Sequence, residues 1–428
     1  MIRIKDLIPS KVQERLFIIK KKLTDTTIGL HLAKKITKDS IVVDTSKSKK
    51  EKFLMLLFFD PKTMGNTVVE QIQELIKLTE YRIDCVDLFP GIALDRDFKF
   101  LHYDGIIFHS TITEINYRFN YRIDSIDIAC KQKISDFKGL KIFFRYDEWL
   151  YQYKFTDYLC YMDFDLIVTL CDADKIDIFY PPDKLPKLSF IHQLTSYVKE
   201  SYLDLPGRLN RNRSIDAGYR GSPYGPKYGR LLYDKEQIGI DFKRHTTNKK
   251  LNTDISSEWR DRIYGDKWLE FLCSCKSVLG TESGVSIVDI DGTIEADLDL
   301  FLKSNPKASD EDILAHLSKY ENKLTYKAIA PRHFEAAACL TLQIMYEDNF
   351  QGIFKAGEHY VVLNRDYSNI DEVIEKIFDD KGRRRITENA FSDIVQNEEY
   401  SFKKFVSRFD CAIDILYSRS EKERVIFG

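Results

Sequence analysis

Glu335 lies in APRHFEAAAC (330–339), in what the pattern predicts to be the first turn of a helix. Pro331 suits the first helical position, where no amide hydrogen is needed. A carboxylate near the positive end of the helix dipole is favoured in its ionised form. There it could accept two hydrogen bonds from a vicinal diol such as a ribose. Arg332 and His333 stand at the same helix start, where an anion would be held. The competing reading is charge matching on a packed helix, since Ala336, Ala337 and Ala338 would let it lie close to a neighbour.

Other residue groups permit related chemistry. In SVLGTESGVS (277–286) a strand runs into Gly280 and then Glu282, Ser283 and Gly284. Small residues there let backbone amides approach phosphate oxygens, although strand-end turns are often glycine-rich for purely structural reasons. After the strand ending at Tyr219, Arg220, Arg230 and Lys235 form a group of cations suited to a diphosphate; an ordinary charged surface loop is the alternative. His109 closes the strand in YDGIIFHST, and Asp147 and Glu148 close another in FFRYDEWLY. Open α/β sheets bind ligands outside the carboxyl ends of their strands. These three are therefore candidate catalytic groups, as a base or as holders of a sugar hydroxyl. A structural histidine and a helix-capping Asp147 are the alternatives. The pairs Asp172/Asp174, Asp289/Asp291 and Asp297/Asp299 lack an evident third ligand, so no metal site is expected. No Ser-His-Asp or Cys-His signature is present.

The elements that would position these residues alternate. Apolar runs at 53–59, 82–88, 103–110, 140–146, 164–171 and 188–193 are separated by helical patterns such as 67–79 and 149–162. This predicts a parallel sheet covered on both faces. The turn DPKTMGNT after the first run has a single glycine, Gly65, so a standard dinucleotide site is not expected there. A polar stretch at 201–213 marks a junction. A second alternating series follows, with strands at 215–219, 277–280, 342–345 and 360–363. Its helices are expected at 234–243, 267–274, 371–378 and 384–395, with an insertion at 285–325 that includes a helix near 311–320. A last helix is expected over 402–417. The expected division is 1–200, 201–400 and 401–428, with 1–50 as a basic region.

Composition fits this plan. The chain has 428 residues, of which 43% are hydrophobic and 13% aromatic, enough for two cores. A net charge of −2 argues against a nucleic-acid partner. Residues 1–53 nevertheless hold fourteen Lys/Arg against six Asp/Glu, a surplus that could meet an anionic membrane surface or be a solvated face. No run approaches the roughly 20 apolar residues of a membrane span. The eight cysteines show no C-x-x-C pair and read as reduced core residues of a cytoplasmic protein, and no signal peptide is expected.

Taken together, YRG (219–221), the W-x-x-F-L at 268–272, LGTESGVS, PRHFE, FKAGEHYVVL (354–363) and NIDEVIEKIFDDKGRRRITENA (369–390) resemble the C-terminal module of group 1 glycosyltransferases, in particular the CgeB-like branch. YDGIIFHS, GLKIFFRYDEW and FDLIVTL extend the likeness more loosely into the first half. The resemblance implies a GT-B fold: two Rossmann-like domains facing a cleft, with the final helix crossing back to the first. It implies a nucleoside diphosphate sugar as donor substrate, no further cofactor, and a glycan or glycolipid acceptor. It also implies an Arg and a Lys for the diphosphate (Arg220 or Arg230, with Lys235) and a histidine near the transferred sugar (His109). Two glutamates eight positions apart serve the donor in that family. Glu335 matches the second; Lys327 occupies the first position, and Glu282 is the candidate replacement. The expected function is a metal-independent, retaining glycosyltransferase of surface polysaccharide or glycoconjugate synthesis, cytoplasmic or at the inner membrane face. The alternatives are a nucleotide-sugar epimerase and a non-catalytic GT-B partner-binding subunit.

Overall fold

The computed structural model describes residues 51–57, 59, 65–87, 100–112, 128–149, 152–208, 212–419 and 423–427. The membrane-surface role expected of residues 1–53 lies outside these, apart from the last three positions, as do residues 60–64 of the first turn.

Continuous apolar runs suit strands with both faces covered. In β1 (Lys52–Leu57) the run Phe53–Leu57 is buried throughout. It lies between β2 (Arg82–Asp87) and β3 (Gly105–Phe108), parallel to both, with Phe53 opposite Ile83 and Gly105. Glycine is required at 105, because a Cβ there would stand 2.1 Å from the Phe53 ring. Next come β4 (Leu140–Phe144), parallel to β3, then β5 (Leu166–Thr169) and β6 (Ser189–His192). Helices α1 (Asn66–Leu78), α2 (Ile128–Ser135) and α3 (Gln152–Met162) alternate with them.

The second half continues with β7 (Ile215–Arg220), α4 (Arg230–Thr246), β8 (Thr253–Ser256), α5 (Asp266–Ser274) and β9 (Cys275–Gly280). A short antiparallel pair, β10 (Ser283–Val285) and β11 (Tyr326–Ala328), brackets the inserted helices α6 (Thr293–Ser304) and α7 (Asp310–Leu317). The insertion has a small core of its own, centred on Ile287, Leu298 and Leu317. Then follow α8 (Pro331–Ala338), β12 (Leu342–Met345), β13 (Val361–Val362), α9 (Ile370–Phe378), α10 (Asp380–Ala390), α11 (Phe402–Ser418) and β14 (Ile426–Phe427).

One sheet has the order β14-β6-β5-β4-β3-β1-β2 and the other β13-β12-β9-β7-β8. The main sheet pairings are parallel. The expected α/β architecture of two parallel sheets alternating with helices is the one found. After the second sheet the chain returns: Thr79 Oγ1 at the end of α1 donates to Asp410 Oδ1 of α11 at 2.6 Å, and β14 adds alongside β6. By contacts the chain divides into one unit drawn from 1–60, 80–145 and 158–167, and another drawn from 61–79, 146–157 and 168–428.

Two boundaries differ from the sequence pattern for identifiable reasons. Helix α4 starts at Arg230 rather than near Asp234. Its first amides are met by groups of the insertion: Ser286 Oγ accepts from Leu231 N at 3.1 Å, and the Glu321 carboxylate accepts from Arg230 N at 3.3 Å. Free helix-start amides need such partners, and these are remote in sequence. Helix α10 starts at Asp380 rather than Arg384, since Asp379 accepts from Gly382 N at 2.9 Å and so caps it.

Candidate functional site

In the second sheet the chain goes from β7 to β8 on one side, and from β9 through β12 to β13 on the other. The order reverses between β7 and β9, and ligands of open α/β sheets bind outside the carboxyl ends at such a point. Arg220 and Gly221 end β7; Gly280, Thr281 and Glu282 end β9. A small cavity here is lined by Tyr219, Arg220, Trp268, Arg332, His333 and Gln343. A wider groove between β13, α9 and α10 contains none of the candidate residues.

Two cations of this region influence each other. Lys235, half-buried on the first turns of α4, donates to Ser283 Oγ at 2.7 Å. Burial pushes its pKa down to about 8, the charge of Arg332 pushes the same way, and the Asp147 carboxylate opposes them. Arg332 Nη1 donates to the Arg220 carbonyl at 2.7 Å, and its guanidinium lies over Tyr219. Arg220 itself is committed to the frame. It donates to the carbonyls of Tyr219, Asp254 and Asp261, pairs with the Asp254 carboxylate at 2.9 Å, and stacks on Phe271. Arg230 is exposed at the start of α4.

Glu335 is buried on α8, and the Trp268 indole N–H of α5 donates to its Oε2 at 2.6 Å. Burial raises its pKa to about 7. The Trp268 hydrogen bond lowers it, Glu70 raises it, and Arg332 and Lys199 lower it. Ala336, Ala337 and Ala338 are all buried, so the helix packs through its small residues while its first turn faces the switch point. His333 is part of the wall: its Nδ1 meets Gln343 Oε1 at 2.6 Å and its Nε2 meets the Thr281 carbonyl at 3.1 Å. Burial holds its pKa near 4, so the ring is neutral at pH 7.

Around TESG the side chains of Glu282 and Ser283 have defined partners. Glu282 is fully buried, accepts from Phe350 N at 2.8 Å through Oε1, and presents Oε2 to Lys327 Nζ at 2.8 Å. Ser283 holds Lys235. Gly284 has φ +99°, and a Cβ there would stand 1.9 Å from the Tyr326 carbonyl oxygen. The glycine thus permits the β10–β11 approach.

The three candidate catalytic residues differ in setting. His109, in the first unit, is fully buried and stacked on Phe144. Thr111 N donates to its Nδ1 at 3.3 Å, which leaves the proton on Nε2, and burial lowers its pKa to about 3. Glu148 is fully buried and accepts from the hydroxyls of Thr169, Tyr180 and Tyr326. Asp147 is exposed, has φ +52°, and accepts from Trp149 Nε1 at 3.2 Å.

The structure therefore gathers Lys235, Ser283, Arg332 and His333 at the switch point, with Asp147 acting on Lys235, and places Glu335 on the next turn of α8, bonded to the cavity-wall residue Trp268. It keeps Arg220 in the frame and Glu282 in an ion pair. Sequence reading missed the role of Trp268, although the W-x-x-F-L pattern contained it. Among the described residues no three His, Cys, Asp or Glu side chains form a metal-ligand group, and no helix is long and apolar enough to cross a membrane.

No protein-family model and no curated protein matches the chain. Solved structures do. Anabaena HepE in complex with UDP-glucose is similar at a TM-score of 0.45 and 10% identity, over 86% of this chain and 100% of that one. A DNA-modifying β-glucosyltransferase, solved with and without uridine diphosphoglucose, is similar at 0.47 and 10% identity, over 85% and 99%. TarM is similar at 0.40 and 10% identity over 72% of this chain, which spans 54% of TarM.

Proposed function

We propose that this chain is a GT-B glycosyltransferase that moves a sugar from a nucleoside diphosphate sugar to a hydroxyl of a glycan or glycolipid. The supporting observation is the pair of cations Lys235 and Arg332 at the β7–β9 switch point, with Glu335 on the next turn of α8 beside the cavity-wall residue Trp268. Holding two cations in one partly buried place is unfavourable unless an anion offsets them; burial first, and Arg332 second, disfavour the charged form of Lys235. A diphosphate supplies the anion. Its leaving oxygens gain charge during transfer, where fixed cations are most effective, so Lys235 and Arg332 take that role without a metal ion. Glu335 accepts from the ribose hydroxyls. Asp147, exposed and acting on Lys235, is the group of the three candidates placed to meet a sugar hydroxyl. Glu148 and His109 support the strand ends. Retention of anomeric configuration, and a place in surface polysaccharide synthesis at the inner membrane face, follow from the family resemblance and the basic residues 1–53.

The test is release of nucleoside diphosphate from a donor, dependent on added acceptor and abolished in Lys235→Ala. Conversion of donor alone to an isomeric sugar would instead favour an epimerase. Donor binding without turnover under any acceptor would favour a binding subunit.

A further inference from the structure

Trp268 reaches from α5 to α8 and donates its indole N–H to Glu335 Oε2 at 2.6 Å. Glu335 Oε1 accepts no hydrogen bond from the described residues. The indole is held by packing: it stacks on Phe271 with centroids 5.6 Å apart, and Phe271 in turn carries the Arg220 guanidinium at 4.5 Å. Trp268 is also part of the cavity wall, with Arg220, Arg332 and His333. An indole nitrogen can only donate, so its natural partner is an ionised carboxylate.

We propose that Trp268 is the positioning residue of this site, fixing Oε2 of Glu335 so that Oε1 is the oxygen presented to the ligand's vicinal diol. This rests on the donor-binding reading above. A purely structural bridge between α5 and α8 would use the same bond, so the test must separate the two roles.

The groups acting on Glu335 define that test. Glu70 of α1 faces it, itself paired with Lys199; Lys199 and Tyr202 approach from the segment after β6; Arg332 and Cys339 lie on α8 and at its end. Against this background the indole hydrogen bond favours the ionised form. Removing it shifts the ionisation of Glu335 to higher pH, whereas loss of a mere packing bridge does not.

Trp268→Phe keeps most of the ring and removes the donor. Affinity for UDP-glucose, measured by calorimetry at neutral pH, should fall on the order of ten-fold. The pH midpoint of binding should move upward. In a Glu335→Gln background the same substitution should change affinity by less than about two-fold, because coupled residues are not additive. An equal loss at every pH, added in full to that of Glu335→Gln, overturns the proposal. Should Trp268→Phe not fold, the indole N–H resonance of Trp268 decides. It should titrate between about pH 6 and about pH 8 in the wild type and stay flat in Glu335→Gln; a flat wild-type resonance overturns the proposal. If the wild type binds no nucleoside diphosphate sugar, the donor reading falls and the indole titration alone decides this inference.

Discussion

Lys327 stands eight residues before Glu335, and its ammonium lies 2.8 Å from Oε2 of the buried Glu282. It also pairs with Asp348 at 3.3 Å; Asp348 continues to Arg365 at 2.8 Å, and Arg365 to Asp234. The position where the resemblance drawn from the sequence led to a carboxylate being expected is here the cationic half of an internal pair, and the carboxylate is on the β9 turn.

Breaking that pair leaves a buried charge uncompensated. Lys327→Met should destabilise the chain by about 3 kcal/mol, and Lys327→Met with Glu282→Gln should recover most of the loss. Urea unfolding of the three proteins measures both. A single variant within about 0.5 kcal/mol of wild type would show the pair to be weak.

Gly284→Ala places a methyl group against the Tyr326 carbonyl at a positive φ. The expected cost is about 2–3 kcal/mol, with loosening of the β10–β11 pair. Hydrogen exchange at Val285 and Tyr326 should speed up first. Unchanged protection in the variant would mean that the ribbon tolerates the methyl group.

Glu335 makes stability depend on pH. Its folded-state pKa, about 7, lies above the ordinary 4.5, so its stabilising contribution is full below pH 4.5 and is lost as pH rises through 7. Glu335→Gln should therefore gain stability relative to wild type with rising pH, by up to about 3 kcal/mol on the alkaline side. Donor binding should show the opposite preference, weakening in the wild type as pH falls below about 7. Denaturation curves in mildly acidic and mildly alkaline buffer check the first. A pH-independent difference between the two proteins contradicts it.

The main strands and most second-half helices were legible because their signal is local: unbroken apolar runs such as Phe53–Leu57 and Leu342–Met345, and the Pro331 start of α8. The elements β8, the β10–β11 pair, β14 and α6, which are short or polar, were not among the expected ones. The candidates near the switch point were legible in part, since cations after a strand and a carboxylate after a Pro-started helix are sequence patterns. Glu335 was expected in the first turn of α8 but is its fifth residue, beyond that turn. What was not legible is long-range. Nothing near Arg230 shows that Glu321 and Ser286 cap its helix. Nothing near Glu282 shows that Lys327 pairs with it. Arg220 reads as a free phosphate ligand until β8 brings Asp254 beside it.

Residues 1–53, with their surplus of Lys and Arg, predict binding to vesicles containing anionic lipid. That binding should weaken as salt shortens the screening length, and removing residues 1–50 should abolish it. Cosedimentation at low and high salt measures it; equal binding at both removes the electrostatic account.

The most direct measurement is a crystal structure with a nucleoside diphosphate sugar bound. The diphosphate should lie within about 3 Å of Lys235 Nζ and the Arg332 guanidinium, with a ribose hydroxyl on Glu335 Oε1. A nucleotide seated elsewhere, for instance in the groove between β13, α9 and α10, with Lys235 still on Ser283 and Glu335 untouched, would contradict the account.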